Sequence, residues 1–426
     1  HYLKQFHTKY ADQAKLDAMV NEAGFEEWYQ LYGDRNNGET NPERPSIRAW
    51  VIDQPAPKQP IVAVRNPYYW KVDTEGNQLP YIDRIEWMVV QSGDQINLRA
   101  ASGEVDMQLR HITFNNYPIF KENEEAGDYR VLEWLWGENE IVVHFTQDHV
   151  DPVKKELLED RRFRFALSLG VNRQEICEAI YFGTVEPSQI VPYPSSPWWS
   201  EERANFMAEH DPDRANAYLD EMGLTERDSE GYRLMPNGER LVVYWDYSPI
   251  FGPWGPAGEL IREHYTQIGV DLQIKEQARQ LFYERFRARE TELALWTGHA
   301  TLFPIIRPRD FAAIHYGGSK WAAQYGWWWA TSGASGIEPP PDSAIRKSQL
   351  LYEEVLAASS QEEAYEKFDA VMDHFYDNLW TMGFTTPPVQ PVIVKNSFRN
   401  VPNDVMATHV LRSPGATAPE QYFVRQ

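Results

Sequence analysis

The chain of 426 residues sets 41 Lys and Arg against 63 Asp and Glu, a formal net charge of −22, and is longer than one core readily fills. Hydrophobic residues at 42% and charged residues at 24% exclude a disordered or fibrous chain. The acidic balance, with no basic block, argues against nucleic acid and anionic membrane surfaces as partners, and no run of about 18 apolar residues could span a bilayer.

In chain order, helices are expected over 12–24 and 25–31, then apolar segments at 46–52 and 61–64. Ile85, Trp87 and Val89 alternate with Glu86 and Met88, which reads as a strand over 84–90. Asp94 is the expected N-cap of a short helix over 95–101, closed by Gly103, and 105–109 returns as a strand, so this region reads as a βαβ unit. Strands at 131–135 and 141–145 precede a helix capped by Asp160 and another over 173–181. Asp211-Pro212 opens a helix that Gly223 closes. The clearest stretch follows: strand 241–247, helix 258–268, strand 270–274, helix 281–289, strand 292–296. That order implies a wound parallel sheet. Residues 302–341 show little periodicity and read as a long binding loop. Helices over 342–358 and 362–377 come next, and Pro387-Pro388 marks a boundary before a strand at 392–395.

The nucleotide, metal and nucleophile signatures are absent from the sequence: there is no G-x-G-x-x-G, no G-x-x-x-x-G-K-[ST], no H-E-x-x-H and no G-x-S-x-G. The single cysteine, Cys177, sits in a helical pattern among Glu175 and Glu178 and reads as a buried structural thiol. Paired carboxylates are the catalytic option that composition permits, and among 63 acids chance proximity is common. Aromatic residues are more informative. Trp327-Trp328-Trp329 is expected in a loop, where one core face could not absorb all three rings. Tyr244, Trp245 and Tyr247 end one strand and Trp296 another, and ligands of open parallel sheets sit beyond the carboxyl ends of strands. Core packing is the commoner fate of any single ring; as a set, these rings suggest a ligand cleft.

Arg65-Asn66-Pro67-Tyr68-Tyr69-Trp70 with Leu79-Pro80-Tyr81-Ile82-Asp83-Arg84-Ile85 resembles the family 5 extracellular solute-binding proteins of ABC importers, which include oligopeptide- and dipeptide-binding proteins. The resemblance continues at Ala101-Ser102-Gly103-Glu104-Val105-Asp106, over 160–173, at Ile268-Gly269-Val270 and at Ala418-Pro419-Glu420-Gln421-Tyr422. It implies a two-lobed α/β fold like that of the type II, cluster C periplasmic binding proteins, with wound mixed sheets and a hinge. Lobe I would comprise 1–136 plus 388–426, lacking its N-terminal part, and lobe II would comprise 137–387 with the Trp-rich loop. The implied function is non-catalytic capture of an oligopeptide or oligosaccharide between the lobes and delivery to a membrane permease. The implied protein is a monomer, periplasmic or anchored outside the cell, and needs no cofactor or metal.

The candidate ligand-binding residues are Trp245, Tyr247, Trp296, Trp327, Trp328 and Trp329 as stacking rings, with His299 and Arg307 as polar anchors. The resemblance also carries a departure. Peptide-binding members place an aspartate three residues after the tryptophan matching Trp296, where it anchors the peptide's α-amino group; here that residue is His299. An imidazole cannot replace a carboxylate facing an ammonium. Two rival classes are a glycan-active hydrolase, using the same rings with paired carboxylates, and an interaction module whose tryptophans dock a protein.

Overall fold

The computed structural model describes residues 1–250, 252–298, 303–408 and 411–425. The N-terminal stretch forms α1 (Gln13–Glu22) and α2 (Trp28–Asn36). Asp12 caps α1 by accepting from the Lys15 amide, and Phe6, Leu16, Val20 and Leu31 form a small core of their own. Next come β1 (Trp50–Gln54), β2 (Ile61–Arg65) and β3 (Arg84–Trp87), an antiparallel three-stranded sheet.

The family-like motif at 65–85 is tied to the tail. Glu420, buried, accepts from Lys71 Nζ at 2.5 Å and from the Tyr69 hydroxyl at 3.2 Å, and its carbonyl accepts from the Tyr81 amide at 3.2 Å. Two motifs some 350 residues apart in sequence are thus one structural joint.

Helix α3 (Gly93–Ala101) is capped by Ser92 rather than Asp94, which lies in its first turn. After β4 (Met107–Gln108) and α4 (Tyr117–Glu122), the long strand β5 (Tyr129–Trp136) leads straight into β6 (Asn139–Phe145). The expected βαβ unit does not form. β3 stays in the first sheet, whereas β4 joins another, because the two-residue β4 pairs only with the later strand that holds Ile393 and Val394.

Helices α5 (Pro152–Glu159), α6 (Arg161–Leu169), α7 (Arg173–Tyr181), α8 (Glu201–Asn205) and α9 (Pro212–Glu221) follow. Asp160 caps α6 and Asp211 caps α9, both as the sequence implies. Arg173 is fully buried and spends its guanidinium on the carbonyls of Ser168, Ala208 and Gly383 and on the Ser168 hydroxyl. Cys177 lies in the core of α7, where burial pushes its thiol up to about 12, the condition of an inert thiol.

The wound stretch then unfolds as β7 (Val242–Tyr247), α10 (Trp254–Thr266), β8 (Asp271–Glu276), α11 (Arg279–Arg287) and β9 (Leu293–Gly298). β7 pairs parallel with both β8 and β9, as expected of the pattern. The expected long loop contains instead α12 (Ala323–Ala330), so Trp327, Trp328 and Trp329 are helical. An eight-residue helix can house three consecutive rings because successive side chains point in different directions and need not share one core face. Helices α13 (Ala344–Leu356) and α14 (Gln361–Asn378), capped by Ser343 and Ser360, precede β10 (Thr381–Gly383).

The chain ends with β11 (Val389–Lys395), β12 (Phe398–Arg399), β13 (Met406–Ala407) and β14 (Phe423–Val424). β11 begins earlier than expected and includes Pro391. Its partner β4 reaches only Ile393 and Val394, so one edge at Pro391 is free of that ladder, a setting in which proline is tolerated.

Two sheets dominate. One has the order β10-β6-β9-β7-β8, the other β13-β5-β11-β4. The chain passes between them twice, from β5 to β6 through Gly137 and Glu138, and from β10 to β11 through residues 384–388. Tightly packed apolar residues sheathe the first sheet, from Phe145 and Leu167 to Trp254 and Leu295.

Candidate functional site

Because β6 and β9 are antiparallel, the carboxyl end of β9 meets the start of β6, with Asn139 opposite Gly298. This corner adjoins the first crossing between the sheets. Thr297 Oγ1 donates to Glu138 Oε2 at 2.9 Å across it. Asn139 Nδ2 donates to the Thr385 carbonyl at 2.7 Å in the second crossing, so both passages are stitched at one place. Asn139 Oδ1 is buried here with no hydrogen-bond partner among the described residues, an unusual state for such an atom.

Trp296 stands at this corner, 8% exposed. Phe282 stacks on it with centroids 5.8 Å apart and planes 12° apart, while Tyr283 meets it edge-on at 5.5 Å. Lys320 Nζ lies 4.5 Å from its ring centroid, and the Arg279 guanidinium 5.8 Å away. From Tyr283 the band continues outward. Arg287 lies over both Tyr283, at 5.3 Å, and Tyr316, at 5.2 Å. Tyr316 in turn stacks on Trp327 with centroids 4.3 Å apart. Rings and cations therefore alternate from the sheet corner to α12.

Two helices build the band. Arg279, Tyr283 and Arg287 recur every four residues on α11 and share its open face, while Phe282 and Phe286 sit on the buried face. α12 is pressed against the 315–319 turn: a Cβ on Gly326 would come within 2.8 Å of the His315 backbone amide nitrogen. Only glycine permits that approach, which brings Trp327 onto Tyr316.

Lys320 is 2% exposed. Burial, reinforced by Arg309 and Arg279 and opposed by Asp310 and Glu138, lowers its ammonium to about 7. Burial likewise holds Arg309 below the usual range, with Arg307 adding repulsion. His315 is also lowered, first by burial and then by Arg309, Arg307 and Lys320. One electropositive field joins these groups.

The residues singled out from sequence divide accordingly. Trp296 and Trp327 lie in the band, and Arg307 lies in its field. Trp245 is fully buried, with Nε1 donating to the Trp254 carbonyl, and Tyr247 is buried with its hydroxyl on Glu276 at 2.7 Å; both pack in the interior. Trp328 lies against Arg346, and Trp329 donates to Glu353 at 2.9 Å and packs near Tyr352, so both rings brace α12 on α13. His299 lies outside the described residues. Tyr283, Tyr316, Arg279, Arg287, Arg309 and Lys320 were not singled out from the sequence. The four-residue recurrence on α11 was visible there, whereas nothing in the sequence links Tyr316 or Lys320 to Trp296.

This architecture, two α/β sheets joined by two strand crossings, is that of the cluster C periplasmic binding proteins. Residues 6–317 match the family described as bacterial extracellular solute-binding proteins, family 5 Middle, and the chain belongs to that family of non-catalytic binding proteins. A structure titled oligopeptide-binding protein OppA is 33% identical, with a TM-score of 0.68, over 100% of this chain and 70% of its own. The Periplasmic alpha-galactoside-binding protein of Rhizobium meliloti is 27% identical over 238 residues, 48% of this chain and 32% of that protein. The chain thus spans about a third of that relative's length. MelB from Agrobacterium fabrum, solved in complex with stachyose, shares the fold with a TM-score of 0.72 at 18% identity, over 100% of this chain and 61% of its own.

Proposed function

We propose that this chain captures an oligosaccharide for an ABC importer, binding it between two lobes and handing it unchanged to a membrane permease. The lobes would be 1–136 with 388–426, and 137–387, turning on the two crossings at 137–138 and 384–388. The observation that carries the reading is the ring band Trp296, Tyr283, Tyr316 and Trp327 at the carboxyl end of β9. Successive rings offer stacking faces to successive sugar units, while guanidinium groups between them offer donors to hydroxyls. The buried acceptor Asn139 Oδ1, opposite the end of β9, suits a ligand rich in hydroxyl donors. The relative named for α-galactosides supports the same class. Capture outside the cytoplasmic membrane is supported by the family's description as extracellular and by a relative named as periplasmic.

An oligopeptide is the second reading, favoured by the 33% identity to the oligopeptide-binding structure. A thermal-shift screen of tri- and tetrasaccharides against tri- to pentapeptides separates the two, with native mass spectrometry of any carried ligand. A sugar that raises the melting temperature and is released intact is the expected result. A peptide that does so while every sugar fails would overturn the oligosaccharide assignment, and a cleaved sugar would overturn simple capture.

A further inference from the structure

We infer that the oligosaccharide taken by this site is acidic, carrying carboxylates of the uronate type that Lys320 and the arginines of the ring band read directly. This deepens the oligosaccharide reading above and rests on it. The protein carries a formal charge of −22, yet this corner is locally positive. Arg279, Arg287, Arg307, Arg309 and Lys320 gather around Trp296, Tyr283 and His315, and the carboxylates in the same field are Glu138 and Asp310. Two of these cations, Lys320 and Arg287, keep donors that the described residues do not take up.

Lys320 makes the point most sharply. Its ammonium is buried, and its one hydrogen bond among the described residues is a long one, 3.4 Å to the Gly317 carbonyl. A buried ammonium held by one long bond and a ring face leaves two of its three donors unspent. Arg287 is exposed, forms no ion pair among the described residues, and lies over the two tyrosines of the band. A pyranose stacked on Tyr283 or Tyr316 projects its C6 substituent from the ring edge, towards these cations. A neutral hydroxymethyl there gains an ordinary hydrogen bond, whereas a carboxylate gains charge-assisted bonds roughly twice as strong. The carboxylate also neutralises charge that the fold otherwise carries at a cost.

Calorimetric titration with α-1,4-trigalacturonate and with neutral α-1,4-galactotriose tests this on the wild-type protein and on the variants Lys320→Met and Arg287→Glu. The acidic trimer is expected to bind at least about tenfold more tightly, with an advantage that shrinks as salt is added. Each variant should lower the acid-to-neutral affinity ratio towards one. Arg287 is exposed, so its substitution tests the site even if Lys320→Met impairs folding, which circular dichroism would register. Equal affinities for the two trimers, or a ratio unmoved by Arg287→Glu, would overturn the inference while leaving oligosaccharide capture standing. Binding of tetra-alanine with neither trimer bound would overturn both.

Discussion

Lys320 links the stability of the protein to its ligand site. In the unfolded chain a lysine keeps its proton up to about 10.5, whereas in the fold burial brings Lys320 down to about 7. Between those values the unfolded state binds more protons than the native state, so this residue makes stability rise with pH across that window. Below about 7 both states carry the charge, and the cost of burying it is felt in full. Lys320→Met removes the cost and puts an unbranched apolar side chain in the place of the buried lysine. The variant should therefore be more stable than wild type at pH 6. Its advantage should fall by no more than about 1.4 kcal/mol per pH unit as pH climbs above 7. Denaturant melts of both proteins at pH 6, 8 and 9.5 check this, and parallel profiles would show that Lys320 does not titrate in the fold. At this scale the sequence told less than elsewhere. It marked Trp296 by strand position, but Lys320 lies 24 residues further on behind an irregular stretch, and no period connects them. Trp245 illustrates the converse: it ends a strand as ligand-facing rings do, yet its direction on β7 turns it into the core, where Trp254 takes its indole proton.

The helices show why the aromatic run was legible as a feature but not as a shape. Three consecutive tryptophans suggest irregular backbone if a single core is assumed to receive them. α12 instead has two neighbours to receive them: the 315–319 turn takes Trp327, and α13 takes Trp328 and Trp329 through Arg346, Glu353 and Tyr352. Elements with a strict period, β7 to β9 and α13 to α14, were readable to within a few residues because packing on one face enforces the period. The short β3 and β4 were readable as strands, but their partners were not, since pairing depends on β2 and β11 far along the chain. The closeness of α12 to the turn gives an element-scale prediction. Gly326→Ala places a methyl group within 3.0 Å of the His315 amide and carbonyl, which are backbone and cannot rotate aside. The helix must withdraw by a few tenths of an ångström or more, at a cost of roughly 1–3 kcal/mol. Trp327 then loses its seat on Tyr316, so the variant should bind its sugar more weakly as well as melt earlier. A variant that melts earlier but binds normally would detach the outer end of the band from recognition.

At the scale of the whole molecule, the two crossings are the places where relative motion of the sheets can arise without unpairing either. Each is short, at 137–138 and 384–388, and each is stitched to the corner that Trp296 occupies. A third contact bridges the sheets: His111, which follows β4, sets Nδ1 at 3.2 Å from the Ile250 carbonyl beyond β7. A ligand bridging the two sheets favours whichever arrangement lets both touch it, and it can shift the equilibrium only by its difference in affinity for the two arrangements. The ring band belongs to one sheet alone, so binding to it without closure would draw on that sheet's contacts only. Small-angle scattering should therefore show a smaller radius of gyration once the saccharide that raises the melting temperature is present at saturation. The same saccharide should leave the scattering of a variant crippled in the band unchanged. An identical wild-type profile with and without bound sugar would mean that one sheet suffices for capture, and that the crossings serve as rigid connections rather than a hinge.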